Sequence, residues 1–170
     1  ASTKEKELLA RLDEISQEGL RALVFSQFVS ALSAFRDRAA ERGVATLYLD
    51  GQTRDRDALI DRFQRSQQAC VFFVSLRAGG TGINLTAADH VFICDPWWNP
   101  QVERQAVDRA HRIGRERPVI VTRLVTAGTI EQKVLELQDQ KRALAADLIS
   151  ENAGGIDLAA GAELLALFER

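Results

Sequence analysis

Cysteine, histidine and long apolar runs are scarce in this 170-residue sequence, and each scarcity excludes a class of protein. The two cysteines, Cys70 and Cys94, lie inside apolar runs, so we expect buried, reduced thiols of a cytosolic protein. No histidine or cysteine cluster has metal-ligand spacing, so we expect no metal site. No window approaches the roughly 20 apolar residues of a membrane span. The charged, helix-patterned residues 1–15 do not resemble a signal peptide.

Positive charge is not in excess either. The net charge is −2, so bulk charge gives no indication of nucleic-acid binding. However, 18 arginines accompany only 4 lysines, and arginine alone offers a planar pair of donors to a phosphate. Arg109, Arg112 and Arg115 recur every three residues on one predicted helical edge. Such a row is repulsive unless it meets an anion, which is either a neighbouring acidic side chain or a bound ligand.

Apolar runs alternate with amphipathic stretches, which predicts an α/β fold made of βαβ units, with a parallel sheet and helices on both faces. Strands are predicted at residues 21–26, 44–50, 69–76, 90–95 and 118–126. Helices are predicted at residues 3–18, 28–43, 56–66, 100–112 and 129–150. We expect four segments, namely an N-terminal helix (1–19), an α/β lobe (20–128), a long helix (129–150) and a tail (151–170), either helical or partly disordered.

Unusual polar residues and glycines follow the ends of the first four predicted strands. They are Ser26 and Gln27, Asp50 and Gly51, the stretch SLRAGGTGIN at 75–84, and DPWWNP at 95–100. The carboxyl ends of parallel strands meet at one edge of the sheet, where α/β proteins bind ligands. We therefore expect the functional site at this edge.

The stretch RAGGTGIN admits two interpretations. Its glycines can form a nest of backbone amides around a phosphate, flanked by donors on Arg77, Thr81 and Asn84. Alternatively, it is only a tight turn between a strand and a helix. It is not the phosphate loop that grips ATP, because neither GKS nor GKT occurs in the sequence, and it lacks the dinucleotide fingerprint.

The adjacent tryptophans of DPWWNP, Trp97 and Trp98, also admit two interpretations. Both can pack under the next helix. Alternatively, one stays exposed as a stacking surface for bases or sugars, or as a protein contact.

Four stretches, taken in order, resemble a known family. They are RALVFSQFVSALSAF, YLDGQTRDRDALIDRF, VSLRAGGTGINLTAADHVFICDPWWNP and QAVDRAHRIGRERPVIVTRLVTAGTIEQKVLELQDQK. They resemble consecutive motifs of the second ATPase lobe of Swi/Snf-type translocases, which are superfamily-two helicase-like enzymes, and they cover most of the chain. The short stretch DGQTRDRD is more similar to the bacterial and archaeal branch.

This resemblance implies a RecA-like fold and half of an enzyme. In the family, the first lobe carries the phosphate loop and the Mg²⁺-binding acids, ATP binds between the lobes, and double-stranded DNA crosses both. The implied partners are therefore duplex DNA and a first lobe of the same polypeptide, and the implied cofactors are ATP and Mg²⁺. We expect a monomer without a membrane partner, in the bacterial cytoplasm or a eukaryotic nucleus, and no activity from this chain alone.

The resemblance also implies roles for individual residues. The last motif is matched by Gln105, Asp108, Arg109 and Arg112, which together with Gly80 are implied to contact the nucleotide. Arg109 and Arg112 are implied to be catalytic, as arginine fingers that stabilise charge during phosphoryl transfer. DNA contacts are implied at Ser26, Gln27, Ser75, Arg77, Gly79, Thr81, Asn84 and Trp98.

The helix at 129–150 corresponds to a segment that braces the two lobes in the family. Its apolar positions can also cover the sheet of this lobe; they are Ile130, Val134, Leu135, Leu137, Leu144 and Leu148.

Two other functions stay open. The stretch HRIGR at 111–115 resembles the start of the DEAD-box motif HRIGRTGR, which would indicate an RNA helicase lobe, but position 118 is Pro where that motif has its final arginine. The third possibility is an interaction domain that kept the fold and lost catalysis.

Overall fold

The computed structural model describes residues 2–79, 83–96, 100–110 and 118–151. Its strands are β1 (Arg21–Ser26), β2 (Thr46–Leu49), β3 (Cys70–Ser75), β4 (His90–Ile93) and β5 (Ile120–Arg123). Its helices are α1 (Thr3–Gln17), α2 (Val29–Glu41), α3 (Arg56–Arg65), α4 (Leu76–Gly79), α5 (Pro100–Ala110) and α6 (Ile130–Glu151). The strands form one parallel sheet in the order β2-β3-β1-β4-β5, so the predicted α/β fold is confirmed.

Side chains alternate between the two faces of the sheet, and both faces are covered. Leu23 and Phe25 of β1 join the core formed with α3 and α5, whereas Ala22 and Val24 join the core formed with α1 and α2. All six residues of β3 are buried. Burial on both faces explains why the central strands appear in the sequence as continuous apolar runs.

The first helix begins with a capping box. The Ser2 hydroxyl accepts from the amide of Glu5 at 3.2 Å, and the Glu5 carboxylate accepts from the amide of Ser2 at 3.3 Å. One stripe of α1 is then buried against the sheet, and it contains Leu8, Leu12 and Ile15. The N-terminal helix therefore shares the core of the lobe.

The outer strand β5 and helix α6 bury less apolar surface than their sequences suggest. Ile120 of β5 and Ile130 and Leu137 of α6 are exposed by 54%, 66% and 46%, respectively. The prediction that α6 covers the sheet is therefore wrong for Ile130 and Leu137. Val134 and Gln138 of α6 are buried, whereas Ile130 and Leu137, which lie within one turn of Val134 on the same side of the helix, are exposed, so the buried stripe of α6 is narrow. Leu135 is half-buried, and the side chains of residues 144 and 148 lie outside the described part.

Both cysteines are buried and free, as predicted. Burial raises the pKa of both thiols above its ordinary value, because the thiolate loses solvation. Within the described ranges, no helix combines the length and the apolar character needed to cross a bilayer.

Candidate functional site

The carboxyl edge of the sheet brings several of the predicted residues together. Ser26, the last residue of β1, is the parallel partner of Ser75, the last residue of β3. On the other side of β1, Phe25 pairs with Ile93, so Asp95 follows β4 at the same edge. These strand ends, rather than any one loop, build the site.

A cleft of about 270 Å³ opens at this edge. Its lining residues are Gln27, Val29, Asp50, Gly51, Gln52, Ser75 and Arg77. Of these, Gln27, Ser75 and Arg77 were predicted as DNA contacts, and Arg77 is exposed. Val29 was not among the predicted site residues, and it is exposed although apolar. It lies two helical turns before the charged Arg36, a spacing that could have placed it on the outer face of α2.

The turn from β1 into α2 is held by a buried carboxylate. Oδ2 of Asp95 accepts from the Ser26 hydroxyl at 2.7 Å and from the Gln27 amide at 2.8 Å. The Ser26 oxygen in turn accepts from the amide of Phe28 at 3.0 Å. Burial raises the pKa of Asp95 above its ordinary value, although both hydrogen bonds favour the ionised form. Asp95 was not predicted as a site residue. The only indication in the sequence is that it is the first residue of the stretch DPWWNP.

The glycine stretch starts as a short helix directly after β3. The amide of Ala78 in α4 donates to the Ser75 hydroxyl oxygen at 3.3 Å, and the Arg56 guanidinium of α3 donates to the Ala78 carbonyl at 2.7 Å. Gly79 ends α4, which packs against α5. Further on, Asn84 is exposed between two buried neighbours, Ile83 and Leu85. Asn84 is therefore available to a ligand.

Helix α5 is anchored to the lobe by buried residues and exposes polar residues to solvent. Glu103 is only 1% exposed, and its carboxylate accepts from Nε of Arg123, at the end of β5, at 2.9 Å. Ala110 is also buried, whereas Gln105 and Asp108 are exposed. The backbone of Arg109 belongs to α5. Its side chain, together with all of Gly80, Thr81, Trp98 and Arg112, lies outside the described residues.

A second charged contact joins three elements near this edge. Nζ of Lys4 in α1 donates to the Cys94 carbonyl at 2.7 Å and to the Glu131 carboxylate of α6 at 2.6 Å. The amide of Thr126 also donates to Glu131, at 2.9 Å. Burial opposes ionisation of Glu131, but the hydrogen bonds from Lys4 and Thr126 outweigh it and lower its pKa.

Comparison with known proteins identifies the family. Residues 4–114 match the helicase conserved C-terminal domain. The chain belongs to this family, as the C-terminal lobe of a Swi/Snf-type helicase. The predicted resemblance is confirmed. The RecA-like lobe also resembles the crystal structure of the C-terminal part of the Fun30 ATPase domain, with a TM-score of 0.75 and 38% identity, over 80% of this chain and 45% of that one.

Curated relatives come from both bacteria and eukaryotes. An uncharacterized ATP-dependent helicase of Mycoplasma pneumoniae is 37% identical over 170 residues, 99% of this chain and 16% of that protein. The DNA repair protein RAD5 of Cryptococcus neoformans is 41% identical over 157 residues, 89% of this chain and 13% of that protein. A Caenorhabditis elegans homologue of the SWI/SNF-related chromatin regulator of subfamily A containing DEAD/H box 1 is 43% identical over 92% of this chain and 16% of that protein. The chain thus spans 16% or less of the length of these relatives.

Proposed function

We propose that this chain is the second lobe of an ATPase that translocates on double-stranded DNA. In this proposal, Arg109 and Arg112 act as fingers on ATP held mainly by a first lobe of the same polypeptide. The observation that carries it is the anchoring of α5, whose buried Glu103 and Ala110 leave Gln105 and Asp108 on the solvent side.

The residues of this lobe fit one side of a nucleotide site. Among the described residues, no group of three or more acidic, histidine or cysteine side chains could hold a metal ion, so Mg²⁺ would be coordinated by the first lobe. ATP, when bound, supplies the phosphoryl group that is transferred to water. Guanidinium groups at Arg109 and Arg112 would stabilise the charge on the phosphoryl oxygens, an effect on the order of 10³-fold or more in rate. Gly80, Gln105 and Asp108 would contribute neighbouring contacts.

The cleft at the carboxyl edge would carry part of the DNA track. The amide of the Gln27 side chain and the guanidinium of Arg77 are groups that contact phosphates. Ser26 and Ser75 are buried, with 0% and 2% of their surface exposed, so they would shape the track from beneath. Beyond them, the track would include Gly79, Thr81, Asn84 and Trp98. Phosphate contacts position a duplex without reading its sequence, so binding would be independent of sequence and sensitive to salt.

The test compares finger variants with a control on the same helix, in a polypeptide that contains both lobes. Arg109→Ala and Arg112→Ala should each abolish most hydrolysis stimulated by duplex DNA while leaving DNA affinity nearly unchanged. Arg104→Ala, at an exposed position of α5 outside the motif, should retain hydrolysis. Loss of DNA affinity with intact single-turnover hydrolysis would instead make the two arginines DNA ligands.

The nucleic acid that stimulates hydrolysis separates the alternatives. Duplex DNA should stimulate the two-lobe protein more than single-stranded DNA or RNA does. Preferential stimulation by RNA would favour an RNA helicase lobe, and no hydrolysis with any nucleic acid would favour an interaction domain.

A further inference from the structure

Asp95 is a buried carboxylate that none of the proposed roles uses. It is 6% exposed, and the two hydrogen bonds that it receives converge on one oxygen, Oδ2. The described residues place no cation within salt-bridge distance of it. The ammonium group of Lys4 instead binds the carbonyl of the preceding Cys94. Burying a carboxylate is costly, and the two hydrogen bonds offset part of this cost.

The position of Asp95 indicates which part of the structure its buried carboxylate holds in place. The amide of Cys94 still bonds to the carbonyl of Phe25 at 2.9 Å, so Asp95 stands directly beyond the last ladder bond between β1 and β4. On the β1 side, its partners Ser26 and Gln27 form the turn into α2, and Gln27 lines the cleft. On its own side, the chain runs from Asp95 to α5, which begins at Pro100.

We infer that Asp95 is a positioning residue that fixes the Ser26–Gln27 turn to the end of β4, beside the cleft. The inference rests on the proposed function, because it takes Gln27 to face DNA and α5 to face ATP. Through two hydrogen bonds to one oxygen, the carboxylate holds the backbone of Gln27 beside the cleft where the duplex would pass, and it holds the buried hydroxyl of Ser26 beneath that residue. The end of β4 and the turn that would face DNA are then linked by a single side chain.

The chain offers a matched control for a purely structural role. At the opposite edge of the same two strands, Oδ2 of Asp89 accepts from the amide of Arg21 at 3.0 Å. Asp89, directly before β4, therefore accepts from the first amide of β1, whereas Asp95, beyond β4, accepts from the amide that follows β1. Asp89 lies at the end of these strands away from the cleft. Loss of either carboxylate should lower stability, whereas only the loss of Asp95 should change the response to DNA.

The experiment uses the two-lobe polypeptide and a fluorescent duplex. Three quantities are measured: the duplex concentration that half-stimulates hydrolysis, the Kd of the duplex by anisotropy, and the Tm. For Asp95→Ala we expect a rise of about tenfold in the half-stimulating concentration and in Kd, about the effect of one lost hydrogen bond. Asp89→Ala should lower the Tm but change both DNA parameters by less than about twofold. Asp95→Asn should resemble the parent, because an amide oxygen in the place of Oδ2 can accept both bonds.

Several outcomes would overturn the inference. They are equal DNA effects of Asp95→Ala and Asp89→Ala, no DNA effect of Asp95→Ala, and an Asp95→Asn variant as impaired as Asp95→Ala. If Asp95→Ala does not fold, Asp95→Glu replaces it. In Asp95→Glu the carboxylate is displaced by one methylene, so this variant should raise the half-stimulating concentration, whereas Asp95→Asn should not. Equal values for the two variants would refute the inference. A parent that no nucleic acid stimulates would refute the proposed function instead.

Discussion

Lys4 links the start of α1 to the end of β4 and to the first turn of α6, and its replacement tests whether this link stabilises the lobe. The side chains of Lys4 and Glu131 are 12% and 24% exposed, so the pair lies between a surface ion pair and a buried one. Exposed pairs contribute about 0.2–1 kcal/mol, and hydrogen bonds to charged groups contribute about 1.5–3 kcal/mol. Lys4→Met keeps most of the aliphatic stem and removes the ammonium group, so we expect a loss of about 2 kcal/mol. For a chain of this size, that corresponds to a fall in Tm of about 4–8 °C.

A double-mutant cycle isolates the pair from the rest of the change. Lys4→Met, Glu131→Gln and the double variant are unfolded in urea, and the coupling free energy is taken from the four values. The control cycle uses Glu7 and Arg11, an i,i+4 pair in α1 whose side chains are about half exposed, at 53% and 52%. Its coupling should be about 0.3–0.5 kcal/mol. A Lys4–Glu131 coupling no larger than that of the control would refute the reasoning.

The same cycle has a defined pH dependence. Folding lowers the pKa of Glu131, so the stability that this group contributes is complete above the ordinary pKa of a glutamate. It is lost as the pH falls through the lowered pKa of the folded state. The coupling should therefore be constant near neutral pH and shrink in acid, whereas a coupling that grows in acid would contradict the assigned direction.

Three further predictions concern the core, the isolated lobe and DNA coupling. Phe63→Ala should cost about 3–5 kcal/mol in urea unfolding, because the Phe63 ring is fully buried 5.4 Å from the ring of Phe72; a cost below about 1 kcal/mol would contradict this packing. Residues 1–170 alone should not hydrolyse ATP and should bind duplex DNA weakly, with a Kd of roughly 10⁻⁴–10⁻⁶ M that rises with salt; turnover by the pure chain, or tight salt-independent binding in a titration, would oppose the half-enzyme proposal. In the two-lobe protein, Trp98→Ala should keep part of the ATPase activity while translocation along duplex DNA drops, and an equal loss of both would argue against a coupling role.

Local periodicity in the sequence was enough to predict the fold. Every described strand and helix except α4 lies at a predicted place, because apolar runs such as RALVFS are buried on both faces of a parallel sheet. The predicted strands at 44–50 and 118–126 are longer than β2 and β5. Leu124 lies beyond β5 and is still buried, since an apolar residue can be buried outside a strand as well as in it. Pro118 lies before β5 and is exposed, and it has no amide hydrogen to donate to a neighbouring strand.

Contacts between distant charged groups were not predictable in this way. Nothing in the sequence indicates that Lys4 meets Glu131, 127 residues later, or that the carboxylate of Glu103 is buried beside Arg123. A charged residue on an amphipathic helix normally suggests solvent exposure. For Asp95, only its place after a strand was visible, whereas the two donors that satisfy it come from a turn 68 and 69 residues away.

The anchoring of α5 has a consequence for how force could arise. Glu103 near one end and Ala110 at the other end lie two turns apart on one buried stripe, so the helix is packed into the lobe along most of its length. If the proposed function holds, the arginines of this helix would reach or leave a phosphate by rotation of the entire lobe as a rigid body. The cleft belongs to the same sheet, so a rotation that engages the nucleotide would also displace the DNA held in the cleft. Each cycle of ATP hydrolysis would then move the DNA once. No additional element would be needed to pass the motion from the nucleotide site to the DNA.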